Sequence, residues 1–226
     1  MKSVTTTILI LFSMLSSLAQ NTSTQSLQKF SVLKVYNRIS VTLIKSEENK
    51  LTIAKKNETD VRVMESNGVL MLKMDSDKFI AGNILAVNLY YTESLSSIDA
   101  NENAKIKSNG SIKGSTLEIK AQESGVINLN IDVKNVISKS SSGSEIRISG
   151  TAESQNAIIN TGAKIYNKGL KSKNTTVTVL AGGRAEVYAS EKAVAKVKAG
   201  GVIIIHGNPK ILDKRDNFGG TIQVIE

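Results

Sequence analysis

The chain has no cysteine and no tryptophan, and among its 226 residues only one histidine, His206, and one proline, Pro209. Without cysteine there is no disulfide framework, so the fold must rest on apolar burial and backbone hydrogen bonds. A single histidine with no cysteine excludes a histidine-based metal centre or a Cys–His pair within one chain. Aromatic residues make up only 4%, too few for the aromatic-interleaved basic surface of a nucleic-acid binder. The net charge of +9 is diffuse, running through Lys55, Lys56, Lys105, Lys107, Lys164, Lys168, Lys171, Lys173, Lys196 and Lys198. Nucleic acid is therefore not expected as a partner, whereas weak attraction to anionic glycans or membrane surfaces is compatible with such a surface.

Long apolar runs are also scarce. The one that exists, Ile8–Ala19, follows Lys2 and ends in small residues, Ser17 and Ala19. It is too short to span about 30 Å of hydrocarbon and has the layout of an export signal. Residues 1–19 are expected to be a cleaved signal peptide, leaving no membrane span. The mature chain is expected in the periplasm, on the outer surface or secreted.

What the sequence does have is short alternating strands bounded by Gly, Asn and Ser. "RISVTLIK" (Arg38–Lys45), "KLTIAK" (Lys50–Lys55), "VRVME" (Val61–Glu65) and "GVLMLKM" (Gly68–Met74) come first. Asn67-Gly68 between the last two marks a tight hairpin turn, because both residues tolerate positive φ. "DSDKFIAG" (Asp75–Gly82) reads as a loop, and "NILAVNLYY" (Asn83–Tyr91) as a strand that pairs with the earlier ones.

After residue 98 the pattern becomes periodic. Gly125, Gly143, Gly162, Gly182 and Gly200 each precede a short strand, at intervals of 18, 19, 20 and 18 residues. A second apolar strand lies between consecutive glycines. A period near 19 residues is one coil of a β-solenoid, with successive coils about 4.8 Å apart. The expected fold class is all-β: a right-handed parallel β-helix with an N-terminal, hairpin-containing cap. The expected organisation is a linker over 20–29 followed by one continuous domain over 30–226, with an N-terminal β region or cap over 30–98 and repeats over 99–226, and with "FGGTIQVIE" (Phe218–Glu226) as the closing strand. Ile127, Leu129, Ile146, Ile148, Ile165, Val187, Ile203 and Ile205 are expected to point inward. Asn128, Asn130, Glu145, Arg147, Lys164, Tyr166, Glu186 and Tyr188 are expected to point outward.

Phe30–Met74, with its Val-Thr-Leu and Leu-Thr-Ile strands and its hairpin ending in Gly-x-Leu, resembles the opening of the putative auto-transporter adhesin head GIN domain family. Ile84–Ile106 continues the likeness, above all in "SLSSIDANENA", and "GGTIQVIE" completes it over nearly all of residues 30–226. The resemblance implies an exported β-helix protein of Bacteroidetes-type bacteria with an adhesin role, and brings no catalytic residue set. Two departures stand out. Arg38-Ile39-Ser40 replaces a Gly-Ile-Asn-like tripeptide, and Asn101-Glu102-Asn103-Ala104 replaces a Ser-Gly-Ala-like opening.

Enzymatic chemistry finds little support in the residues. A calcium-dependent lyase needs several converging carboxylates, and the repeats offer Asp132 as their one Asp between 100 and 212. Glu145 and Glu186, two coils apart, are the nearest to a hydrolytic pair, but Arg147 and Arg184 lie beside them. No catalytic residue, metal or cofactor is expected. The reading from sequence is a non-enzymatic surface protein whose flat face, through Asn128, Arg147, Tyr166 and Tyr188, contacts glycan or protein. A carbohydrate-active enzyme related to polysaccharide lyases, and an envelope assembly protein acting as an oligomer, are the alternatives.

Overall fold

The computed structural model describes residues 22–80, 82 and 84–225. The signal peptide expected over 1–19 lies outside the described residues. The rest is a parallel β-helix whose coils stack in two continuous ladders. Four long strands, β9 (Lys105–Ala121), β10 (Val126–Ser140), β11 (Glu145–Ile159) and β12 (Lys164–Val179), each form most of one coil. The two strands expected per coil are thus one bent strand in this part of the chain. In β10 the alternation breaks at Lys134 and Asn135, two successive exposed residues, and this break carries the chain from one ladder to the other. Beyond β12 the coil divides into β13 (Arg184–Tyr188) and β14 (Lys192–Val197), then β15 (Gly201–His206) and β16 (Ile211–Asp216), and ends in β17 (Gly220–Ile225).

Register explains the core. Val41, Ile106, Ile127, Ile146, Ile165, Ala185, Ile203 and Ile222 stand side by side in successive parallel strands. All but Ile222 are buried. The facing ladder runs Leu33, Ile98, Ile119, Ser138, Ala157, Val177 and Ala195. Aliphatic residues thus fill most of both ladders, with small ones, Ser138, Ala157 and Ala195, in the later coils of the second, and few rings are needed. All eight positions expected to point inward are buried.

At each corner, two consecutive residues adopt left-handed φ: Glu102 and Asn103 (52°, 62°), Glu123 and Ser124 (49°, 61°), Ser142 and Gly143 (52°, 70°), Thr161 and Gly162 (49°, 68°). The corner backbones are bonded across coils, Ser124 N–H to Ser142 O at 3.1 Å and Gly143 N–H to Thr161 O at 3.2 Å. Ser124, not Gly125, is therefore the equivalent of Gly143. Gly125 is kept for another reason: a Cβ there would sit 2.3 Å from the Ala100 carbonyl oxygen. Both departures from the family pattern also fall on such corners, since Arg38 and Asn103 have φ of 59° and 62°. The register offsets are 19 (Val126 to Glu145), 19 (Glu145 to Lys164), 20 (Lys164 to Arg184) and 18 (Arg184 to Val202).

The first part of the chain contributes strands to the solenoid itself. β2 (Val32–Val35) and β3 (Ile39–Lys45) are parallel members of the stack. They lie between β6 (Val69–Met74) and β7 (Leu85–Tyr91) on one side and β8 (Ser97–Ala100) and β9 on the other. The antiparallel strands alone form the cover. β5 (Val61–Ser66) pairs with β6 through the expected hairpin, with Asn67 and Gly68 at φ 48° and 75°. β4 (Lys50–Ala54) pairs with β7, and β1 (Thr22–Ser26), inside the segment read as a linker, pairs with β4. The stretch read as a loop after β6 holds a short helix, α1 (Ser76–Ile80). Among the described residues no helix is long and apolar enough to cross a membrane.

The far end is built differently. β17 does not cover the last coil but is part of it, and Ile211, Leu212, Phe218, Val224 and Ile225 are exposed. Lys214 and Asp216 continue the inward ladders of Ala195 and Val197. An inward-pointing charge on an edge strand blocks a further strand from docking. Lys214→Ile should therefore make the mean mass in sedimentation rise with concentration more steeply than in the parent. Identical curves would show that this charge does not guard the edge.

Candidate functional site

Strand alternation places one row of side chains along the outside of the first ladder. In register order it runs Thr42, Lys107, Asn128, Arg147, Tyr166, Glu186, Ile204 and Gln223. Three of the four expected contact residues, Asn128, Arg147 and Tyr166, are thus direct neighbours on adjacent strands. The fourth is not. Tyr188 pairs in register with His206, one row away from Glu186. The Glu145–Glu186 equivalence also fails, because Glu145 aligns with Lys164 and Arg184, whereas Glu186 aligns with Tyr166.

The charges on this face are bonded along their own strands. Arg147 Nε lies 2.7 Å from Glu145 Oε1, and Arg184 Nη2 lies 2.9 Å from Glu186 Oε1. Lys168 and His206 approach the second oxygen of Glu186 at 3.6 and 3.8 Å. Burial works to raise the Glu186 pKa, but the Arg184 hydrogen bond and the nearby cations outweigh it and hold the carboxyl below the ordinary glutamate range. The Arg147–Glu145 pair, at the surface, is worth only about 0–1 kcal/mol. The consequence of both arginine pairs is geometric, because they fix where the guanidinium groups sit.

Both tyrosines are engaged as well. The Arg147 guanidinium carbon lies 4.4 Å from the Tyr166 ring centroid. The Lys171 ammonium lies 3.9 Å from that of Tyr188. Each ring therefore carries a cation on one face, an arrangement worth about 0.5–1 kcal/mol at exposed sites.

Tyr188 sits where the solenoid changes width. Residues 149–152 pair with 169–172, but after Tyr188 the chain crosses directly to Lys192 and the coil shortens. A shortened coil leaves backbone without a ladder partner, and a buried carbonyl must be satisfied. The Tyr188 carbonyl accepts from Gln155 Nε2 at 2.9 Å, Ser172 Oγ at 2.6 Å and Thr175 Oγ1 at 2.6 Å. Gln155, Ser172 and Thr175 are buried. Above this step lies an open groove of about 530 Å³, lined in part by Asp132, Lys134, Glu153, Lys171, Lys173 and Tyr188. Asp132 Oδ1 accepts from Thr151 Oγ1 at 2.8 Å. Sequence reasoning missed this groove, although Gln155 in phase with Ala157 and Ile159 was a signal of a polar interior there.

A second depression, on the other ladder, contains Asp99, Lys120 and Lys139. Burial pushes the Asp99 carboxyl above the usual aspartate range, against the opposing effect of Asn101, Lys120 and Lys34. Hydrogen bonds from Lys120 and Lys139 hold Glu118 below the usual glutamate range. Among the described residues no group of three or more His, Asp or Glu side chains converges as a metal site would require.

Comparison with known proteins agrees with this architecture. A structure of a putative adhesin from Bacteroides fragilis NCTC 9343 superposes with a TM-score of 0.81 at 17% identity, covering 90% of this chain and 96% of that one. A putative lipid binding protein from Parabacteroides distasonis ATCC 8503 gives 0.70 at 17% identity, with 92% and 98% covered. A putative adhesin from Parabacteroides merdae ATCC 43184 gives 0.68 at 16%, again with 92% and 98% covered. Among curated proteins none matches this chain. The sequence family described as "Putative auto-transporter adhesin, head GIN domain" matches residues 29–209. By that match, which spans most of its length, the chain belongs to the head GIN domain family.

Proposed function

We propose that this protein is an exported, non-enzymatic, adhesin-like surface module that binds glycan on the flat outer face of its first ladder. The observation that supports this most is the register row Asn128–Arg147–Tyr166, in which an amide, a guanidinium and a phenol stand on adjacent strands. Side chains at this spacing, about 4.8 Å apart, suit the hydroxyls of a chain lying along the helix axis. The Tyr166 ring under the Arg147 guanidinium and the Glu145 carboxylate beside it hold Arg147 in place in advance, so little freedom is lost on binding. Membership in an adhesin-described family supports the same reading.

A glycan array probed with residues 20–226 tests it. Retention of at least one glycan class is expected, with a tenfold or greater loss in the double variant Arg147→Ala/Tyr166→Ala and little change in its thermal midpoint. An array on which nothing is retained would contradict the proposal. So would the appearance of new reducing or unsaturated ends in a polysaccharide incubated with the protein.

A further inference from the structure

Resting on that reading, we infer that the groove at the coil step is the subsite that takes a hexuronate unit of the glycan. Its volume of about 530 Å³ lies in the range of small-ligand sites. Three lysines, Lys134, Lys171 and Lys173, are among its lining residues. Lys134 and Lys173 form no ion pair among the described residues. Lys171 is held 3.9 Å over the Tyr188 ring. That ring is itself backed by Gly207, where a Cβ would come within 3.0 Å of Tyr188 Cε2. The Tyr188 carbonyl is pinned by Gln155, Ser172 and Thr175. The groove therefore has a rigid wall carrying a positioned cation, and less mobility to lose when an anion arrives.

Charge balance selects among anions. Asp132 and Glu153 share the groove with the lysines, and they repel a densely sulfated chain while accepting hydrogen bonds from sugar hydroxyls. A hexuronate offers one carboxylate and several hydroxyls per unit, which matches this mixture. The aromatic ring acts here as a support for Lys171 and not as a stacking platform.

Calorimetric titration of residues 20–226 with trigalacturonate, its methyl ester and a sulfated maltotriose, which carries sulfates but no hexuronate, tests the inference. Trigalacturonate should bind at least tenfold more tightly than its methyl ester, and more tightly than the sulfated oligomer. Lys171→Met/Lys173→Met should weaken it at least tenfold, while Lys55→Met/Lys56→Met, which removes the same charge from the distant cap, should change it less than twofold. Equal losses in the two lysine pairs, tighter binding of the sulfated oligomer, or undiminished binding of the ester would overturn the subsite. Glycan retention that depends on Arg147 and Tyr166 but excludes trigalacturonate would overturn it while leaving the proposed function standing. Silence of every glycan would remove both.

Discussion

Replacing Ile165 by aspartate should lower the thermal midpoint by about 8–16 °C, or prevent the protein from accumulating. Ile165 is fully buried, with Ile146 and Ala185 as its register neighbours on either side. A carboxylate there has no partner and no water, and the lost isoleucine leaves a void. The combined cost is about 4 kcal/mol or more, and 1 kcal/mol corresponds to roughly 2–4 °C for a domain of 150–250 residues. Because each coil touches only its neighbours, the damage should be greatest in the adjoining coils. Ile165→Val keeps the apolar character and should cost about 1 kcal/mol. Thermal melts of the two variants distinguish an unpaired charge from simple loss of volume. Unchanged stability in the aspartate variant would mean that the strand faces are assigned the wrong way round.

Gly150→Ala is the second large effect expected, and it adds only one methyl group. Gly150 has φ of 110°, and a Cβ there would lie 2.0 Å from the Ile131 carbonyl oxygen. The obstacle is backbone of the preceding coil, which cannot rotate aside like a side chain. Strain of about 3 kcal/mol is expected, a fall in midpoint of roughly 6–12 °C. Gly114 is the contrast. It also lies within a long strand, but a Cβ there would meet nothing within 4 Å and its φ is not left-handed. Gly114→Ala should be neutral or slightly stabilising, by about 0.5 kcal/mol. If both variants melt alike, close approach between coils is not what keeps Gly150 a glycine.

Much of this architecture was legible in the sequence because two periods coincide. Alternation by two gives the inward set, and a comb near 19 residues says that the sets stack. Ile127, Ile146, Ile165 and Ile203 follow from those rules alone. What escaped depends on exact register and on departures from regularity. Tyr188 lies two residues beyond Glu186, the register partner of Tyr166, so the two tyrosines fall in different rows even though both face outward. Insertion of β2 and β3 between strands that come later in the chain leaves no periodic trace, because it is a matter of tertiary order. The left-handed corners are also partly hidden, since Arg38, Glu123, Ser124 and Thr161 adopt φ values that composition assigns to glycine or asparagine. The candidate face was legible in part: three of its residues are neighbours, but the groove beside Tyr188 arises from the change in coil width.

The stacking itself is open to direct measurement, and the absence of cysteine makes it straightforward. Nitroxide labels at Gln223→Cys paired in turn with Arg147→Cys, Asn128→Cys and Lys107→Cys lie four, five and six register steps apart. Electron–electron distances should rise in even increments, to backbone separations of about 19, 24 and 29 Å at about 4.8 Å per coil. Distances that fail to grow step by step, as in two face-to-face antiparallel layers, would contradict the β-helix on which the site and its chemistry depend.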